Sequence, residues 1–380
     1  MAHLISRRDA LAIAAGAATT LVEVGAGAAR PARLAPRSLD VIARGKGLRF
    51  GSAVAWRLGD RQPRDAVLVE RECGLLVPEN EMKWQALRPS PTKFAFARFD
   101  AIVAYAERHG MAVRGHNLLW NQPKWMPAWE RTYDFGANPR REGERLLTEH
   151  IRTICRRYGR RIGGYDVVNE AVNPADGTLY DTALSRAAGG AEPTLDLAFR
   201  TARAEAPHAQ LVYNDYMSWE PGNEKHRAGV LRLLEGFRKR GTPVDALGVQ
   251  SHLITLGPDS AGAVTRLERS WRDFIDAVVG MGYKLLITEL DVRDNNLPAD
   301  PIVRDRAVAD YTRGYLDLML SYPQLRDVLA WGLSDRFSWI EGFEPRPDHA
   351  RRRPTLYDAE FRPKPMRAAV AAAFAAAPAR

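Results

Sequence analysis

Two glutamates stand at the ends of apolar runs. Glu170 follows Val167-Val168 in "YDVVNEAV", and Glu289 follows Leu285-Leu286-Ile287 in "YKLLITELDV". An acid that continues a buried strand is partly stripped of water, which raises the pKa of at least one such carboxyl. Two carboxyls in unlike surroundings are the machinery of glycoside hydrolysis. One protonates the leaving oxygen while the other attacks the anomeric carbon or activates water. The competing reading, open on the residues alone, is that each acid is locked to a neighbouring arginine or lysine.

The aromatic residues favour a sugar site. Trp84, Trp120, Trp331 and Trp339 lie at or just beyond apolar runs, with Trp125 and Trp129 nearby. Flat rings cover the apolar faces of sugars, while Asn80, Lys83, His116, Gln250 and His252 offer partners for hydroxyls. A plain alternative is that several of these tryptophans merely plug one end of the fold.

The elements that must position these groups repeat. From about residue 47 the chain cycles through a short apolar run, a polar loop, an amphipathic helix and a helix stop such as Gly110, Gly159, Pro207, Gly241 or Pro323. The runs are "LRFGSAV", "GLLVPENEMKW", "MAVRGHNLLW", "GGYDVVNEA", "AQLVYNDY", "ALGVQSHL", "YKLLITELDV" and "DVLAWGLSD". Eight apolar strands alternating with helices imply a parallel sheet covered outside, hence an α/β single-domain (β/α)₈ TIM barrel over residues 47–376. An open doubly wound sheet lacks its expected Gly-rich phosphate turn. Polar residues recur where the strands end: Glu79, Asn80 and Lys83; His116 and Asn117; Asn169 and Glu170; Asn214 and Asp215; Gln250 and His252; Glu289 and Asp291; Asp335 and Arg336. In a barrel these ends converge on one face, where sites are built.

Residues 1–30 carry Arg7-Arg8 and an Ala-rich apolar run, a pattern resembling a twin-arginine export signal. That run is too short and weakly apolar to span a bilayer. Residues 31–46 are expected to be disordered or extended. The expected location is therefore periplasmic or secreted, with no membrane association after export. The formal charge is +9, with arginine scattered along the chain and no nucleic-acid motif, so no nucleic-acid partner is expected. The one dense cluster, Arg351-Arg352-Arg353, is expected on a solvated loop. Cys73 and Cys155 are far apart, and Cys155 falls on a helical apolar stripe, which favours a buried free thiol. There is no CxxC, HExxH, EF-hand, Walker or GxSxG pattern, so the expectation is no metal and no cofactor. A monomer is the default.

Together "PENEMKW", "GHNLLWNQ", "YDVVNEAV", "YNDY", "GVQSHL", "ITELDV", "WGLSDRFSW" and "PTLYDAEFRPKP" resemble, in order, the family 10 glycoside hydrolases, endo-β-1,4-xylanases of the (β/α)₈ type. The resemblance runs from about residue 48 to about 370. It implies that Glu170 is the general acid/base, Glu289 the nucleophile and xylan or xylo-oligosaccharide the substrate. It implies that Asn169 bonds the 2-hydroxyl of the reacting sugar, that His252 orients Glu289, and that Asp291 supports His252. Glu79, Asn80 and Lys83 would bind the non-reducing side, with His116, Trp120 and Gln250 around the reacting ring. Trp331 and Trp339 would form an aromatic wall, and Tyr216 would lie beyond the cleavage point. Two positions depart from the family pattern: Tyr165 replaces a common Trp, and Met217 replaces a frequent Asn on the leaving-group side. A cellulase or mannanase barrel, or an inactive carbohydrate-binding barrel, remains the alternative.

Overall fold

A computed structural model describes residues 37–55 and 63–380. The strands are β1 (Arg49–Val54), β2 (Leu75–Pro78), β3 (Ala112–Trp120), β4 (Ile162–Asn169), β5 (Gln210–Asp215), β6 (Ala246–Val249), β7 (His252–Ile254), β8 (Lys284–Arg293) and β9 (Leu325–Ala330). All pairings are parallel. They run in sequence from β1 to β6, then from β6 to β8, β8 to β9 and β9 back to β1, which closes a barrel of eight staves. Nine segments make eight staves because the sixth is interrupted. After β6 the chain turns through Ser251 at φ 64° and resumes as β7, paired with the far end of β8.

The expected strand ranges correspond to these segments. Strand residues are buried almost throughout, as staves covered by helices outside and packed side chains inside require. The helices are amphipathic for the same reason. The helix Pro139–Tyr158 turns Leu146, Leu147, Ile151, Ile154 and Tyr158 inward, starts at an Asn138 cap that accepts from the Arg141 N–H, and stops at Gly159 with φ 52°. Asp300 caps Pro301–Met319 likewise, accepting from the N–H groups of Ile302 and Val303.

Three expectations need correction. The segment 31–46 is not wholly extended: Leu39–Arg44 is helical, buries Leu39 and Ala43, and packs on the C-terminal helix Pro365–Ala376. Its apolar residues supply the cover that the first stave needs. The Arg351-Arg352-Arg353 cluster is a loop, but only Arg351 is solvated. Arg352 is fully buried and donates to the carbonyl oxygen of Glu344 and to Asn295, while Arg353 clasps Asp305 at 2.7 Å with two nitrogens. Trp84 belongs to the core, stacked on His150 with ring centroids 4.1 Å apart. Both cysteines are free and buried. The expected export signal, residues 1–30, lies outside the described residues, as do residues 31–36.

Candidate active site

The C-terminal ends of the staves frame a cleft of about 680 Å³. Its lining includes both glutamates and all eleven residues expected to bind substrate, from Glu79 on β2's loop to Trp339 beyond β9. Register shifts interrupt the ladders beside it, between His116 and Leu119 in β3 and between Ile287 and Leu290 in β8. Such irregularities re-aim side chains at a rim. Glu170 itself sits just past β4 at φ 51°, a left-handed conformation that costs on the order of 1–3 kcal/mol in a non-glycine residue. The carbonyl of Asn214 holds it there, accepting from the Glu170 N–H at 2.9 Å.

A chain of side-chain hydrogen bonds joins the two acids. Gln250 Nε2 donates to Glu170 Oε1 at 2.8 Å and lies 3.4 Å from Asn169 Oδ1. Asn214 Nδ2 donates to that same Asn169 oxygen and to Glu289 Oε1, both at 2.9 Å. Asn214 is held in turn by the Thr288 hydroxyl at 2.7 Å. Gly248 leaves it room, since a Cβ there would fall 2.3 Å from Asn214 Oδ1. The Asn169 amide nitrogen is buried with no partner, a free donor in the cleft wall.

The surroundings drive the two acids apart. Burial is the largest influence on Glu170 and raises its pKa to about 7. The hydrogen bond from Gln250 opposes it, and Asp215 and Glu289 add to it. Trp120 Nε1 donates to its other oxygen at 2.9 Å. Burial pushes Glu289 upward as well. There the hydrogen bond from His252 and the neighbouring imidazoles of His116 and His252 outweigh it, and the pKa ends below the ordinary carboxylate value. His252 supplies that bond from Nε2 at 3.2 Å and donates from Nδ1 to Asp291 at 2.8 Å. Burial alone would lower the pKa of His252; Asp291 and Glu289 raise it to about 9, so it is an imidazolium at neutral pH. Asp291 does not line the cleft. It lies behind His252 and also accepts from Trp339 Nε1 at 2.8 Å, tying the aromatic wall to the histidine. Among the described residues neither glutamate is ion-paired to an arginine or lysine, which removes the structural alternative for both.

The rest of the cleft combines rings and polar groups. Lys83 Nζ lies 4.7 Å from the Trp120 ring centroid, donates to Asn80 at 2.9 Å, and is lowered in pKa by burial against the pull of Glu289, Glu79 and Glu170. Trp120 stacks on Trp125, and His252 lies 5.0 Å from Trp339. Several strand-end polar residues stay out of it. Asp335 is buried against Lys364 and Thr355, and Asp215 accepts from His226 and the Tyr216 N–H. Asn117 is buried elsewhere. Of the six tryptophans expected near the site, Trp84 and Trp129 do not line the cleft.

Sequence reasoning missed Glu220, Arg293 and Phe343, all of which line it. Glu220 is buried under bonds from the Ile254 N–H and from the side chains of Trp219 and Tyr311. Its position in a loop five residues beyond β5 carries no periodic signal. Arg293 had one, since it closes the same stave as Glu289 and Asp291.

Residues 38–373 match the family model for glycosyl hydrolase family 10. Endo-1,4-beta-xylanase 3 of Hypocrea jecorina is 32% identical over 334 residues, 88% of this chain and 84% of that protein. Endo-1,4-beta-xylanase 5 of Pyricularia oryzae is 33% identical over 87% of this chain and 76% of its own length. Among solved structures, native xylanase 10B from Thermotoga maritima superposes with a TM-score of 0.77 at 28% identity, covering 89% of this chain and 98% of that one. Xylanase 10B from Thermotoga petrophila, in complex with xylobiose, gives 0.77 at 27% identity, covering 90% and 98%. The chain therefore belongs to glycosyl hydrolase family 10.

Proposed function

We propose that this cleft hydrolyses internal β-1,4 bonds of xylan with retention of anomeric configuration, by double displacement. The observation that carries this reading is the pair of buried carboxyls in one cleft whose pKa values are driven in opposite directions. Between those two pKa values, below about pH 7, Glu170 is protonated and Glu289 ionised, the pairing of proton donor and nucleophile that the reaction needs. Glu289 attacks the anomeric carbon as the glycosidic C–O bond breaks, and Glu170 gives its proton to the leaving oxygen. Once Glu289 is an ester its charge no longer raises the pKa of Glu170, which then takes a proton from the attacking water. The ester breaks, the sugar leaves with its configuration retained, and both carboxyls return to their starting states. The free amide nitrogen of Asn169 is a donor for the 2-hydroxyl of the sugar in the site, a bond that would tighten in the transition state.

Digestion of glucuronoxylan followed by NMR tests the reading. The β-anomer should appear first and mutarotate, with products of several lengths, and the initial rate on carboxymethyl cellulose should be far lower. Initial formation of the α-anomer would refute retention, and faster cellulose cleavage would move the enzyme to another glycanase class. Xylan binding with no release of reducing sugar would instead mark an inactive binding barrel.

Export to the periplasm or medium, as a monomer, completes the proposal. It rests on Arg7-Arg8 and the Ala-rich run that follows. No helix among the described residues is long and apolar enough to cross a membrane. Replacing Arg7-Arg8 by Lys-Lys should strand the protein in the cytoplasm; unchanged export would exclude that route.

A further inference from the structure

A second cavity, of about 600 Å³, opens at the other end of the barrel, among the N-terminal ends of the strands. Its charge is one-sided. Arg49, Arg114, Lys284 and Arg326 line it, against the single carboxylate of Asp327. Asp327 is already committed to Arg49, accepting two bonds at 2.7 and 2.6 Å. Lys284 and Arg326 are exposed at the mouth. Among the described residues the Lys284 ammonium has no partner, and Arg326 has only a 3.4 Å bond to the Gly47 carbonyl. Deeper in, Arg114 is 97% buried, 3% exposed, and its Nε has no hydrogen-bond partner. A buried guanidinium N–H left unbonded costs free energy unless something fills the space beside it. Gly163 and Gly164 line the same cavity; a Cβ on Gly164 would sit 3.6 Å from the Arg114 Nη1, while one on Gly163 would meet nothing within 4 Å.

We propose that this floor cavity binds a small multivalent oxyanion, either phosphate or an organic di- or tricarboxylate. The two exposed cations at the rim would neutralise the charge, and the Arg114 Nε–H would anchor one oxygen from inside. Charge-assisted bonds of this kind suit planar carboxylates and phosphates. The cavity falls within the roughly 300–1,000 Å³ range of small-molecule sites, ample for a tricarboxylate. It is separate from the catalytic cleft, although Arg114 also bonds Asp166, which bonds His116 at 3.0 Å in the cleft wall. The test therefore leaves Arg114 alone and changes the rim.

The full chain and its Lys284→Ala/Arg326→Ala variant are titrated with sodium phosphate and with sodium citrate at constant ionic strength, by calorimetry and by thermal melting. The wild type should bind one anion saturably and melt higher, with a folding equilibrium raised about elevenfold at ten times the Kd. The variant should keep its xylan activity and lose at least about tenfold in affinity, the loss expected from removing even one charge-assisted contact. Saturable binding of phosphate or of citrate, lost in the variant, supports the site and says which oxyanion it prefers. Melting that follows ionic strength alone, or equal binding by wild type and variant, overturns it.

Discussion

Gln250 tests the electrostatic logic of the cleft most directly. Its amide donates to Glu170 at 2.8 Å and is the largest influence holding that pKa down against burial. Gln250→Leu keeps the volume and removes the donor. A hydrogen bond to a charged group is worth about 1.5–3 kcal/mol net, and each pKa unit corresponds to about 1.4 kcal/mol. The proton on Glu170 should therefore be held until about pH 8–9 rather than about 7. The alkaline limb of kcat/KM, which reports the free enzyme, should move up by that amount on a soluble xylo-oligosaccharide. It cannot move much further, because His252 loses its own proton near pH 9 and Glu289 then loses its charged partner. The variant's maximal rate should fall as well, since Glu170 becomes a stronger base but a weaker acid. An alkaline limb that stays in place, or shifts down, would show that the limb does not report Glu170 or that Gln250 does not stabilise its ionised form. Because the two acids are coupled, NMR titration of both carboxyls in the variant should accompany the rate profile.

Other outcomes follow from the same contacts. Glu289→Gln should lower turnover by about three orders of magnitude or more with an unchanged far-UV spectrum, and surviving activity would remove Glu289 as nucleophile. Asp291→Asn removes the charge that keeps His252 protonated, so the pKa of Glu289 should rise and the acid limb of kcat/KM should move to higher pH; a fixed acid limb would contradict the relay. Glu170→Gln should be the more stable protein at high pH. The folded-state pKa is raised from 4.5 to about 7, so wild-type stability is fully present below 4.5 and is lost as pH rises through about 7, up to about 3 kcal/mol by pH 8. Urea melts at pH 4 and pH 8 should show a gap of about 1–3 kcal/mol at pH 8 only, reduced by one amide that must face the donors of Trp120 and Gln250; a gap independent of pH would refute the linkage. Trp271→Ala, at a fully buried ring stacked on Phe274, should cost about 3–5 kcal/mol in the same melts while leaving the pH profile untouched.

What could be read from the linear chain was whatever has a local cause. Apolar runs such as Leu285-Leu286-Ile287 and helical stripes such as Leu147, Ile151 and Ile154 report burial through spacing alone, and eight alternations leave few architectures but the barrel. Strand ends then marked Glu170, Glu289 and the cleft lining, because a closed parallel barrel sends all those ends to one face. Trp84 and Arg352 were misplaced for the converse reason. A tryptophan next to a strand end, or an arginine in a run of three, has no local mark that says which way it turns, and packing with His150 or Glu344 decided it. The division of labour between the two acids is likewise tertiary. Both follow similar apolar runs, yet Glu170 faces Gln250 and Trp120, 80 and 50 residues away, whereas Glu289 faces an imidazolium charged by Asp291. Ionisation depends on every dipole and charge within a few ångströms, and only closure of the barrel brings those groups that near.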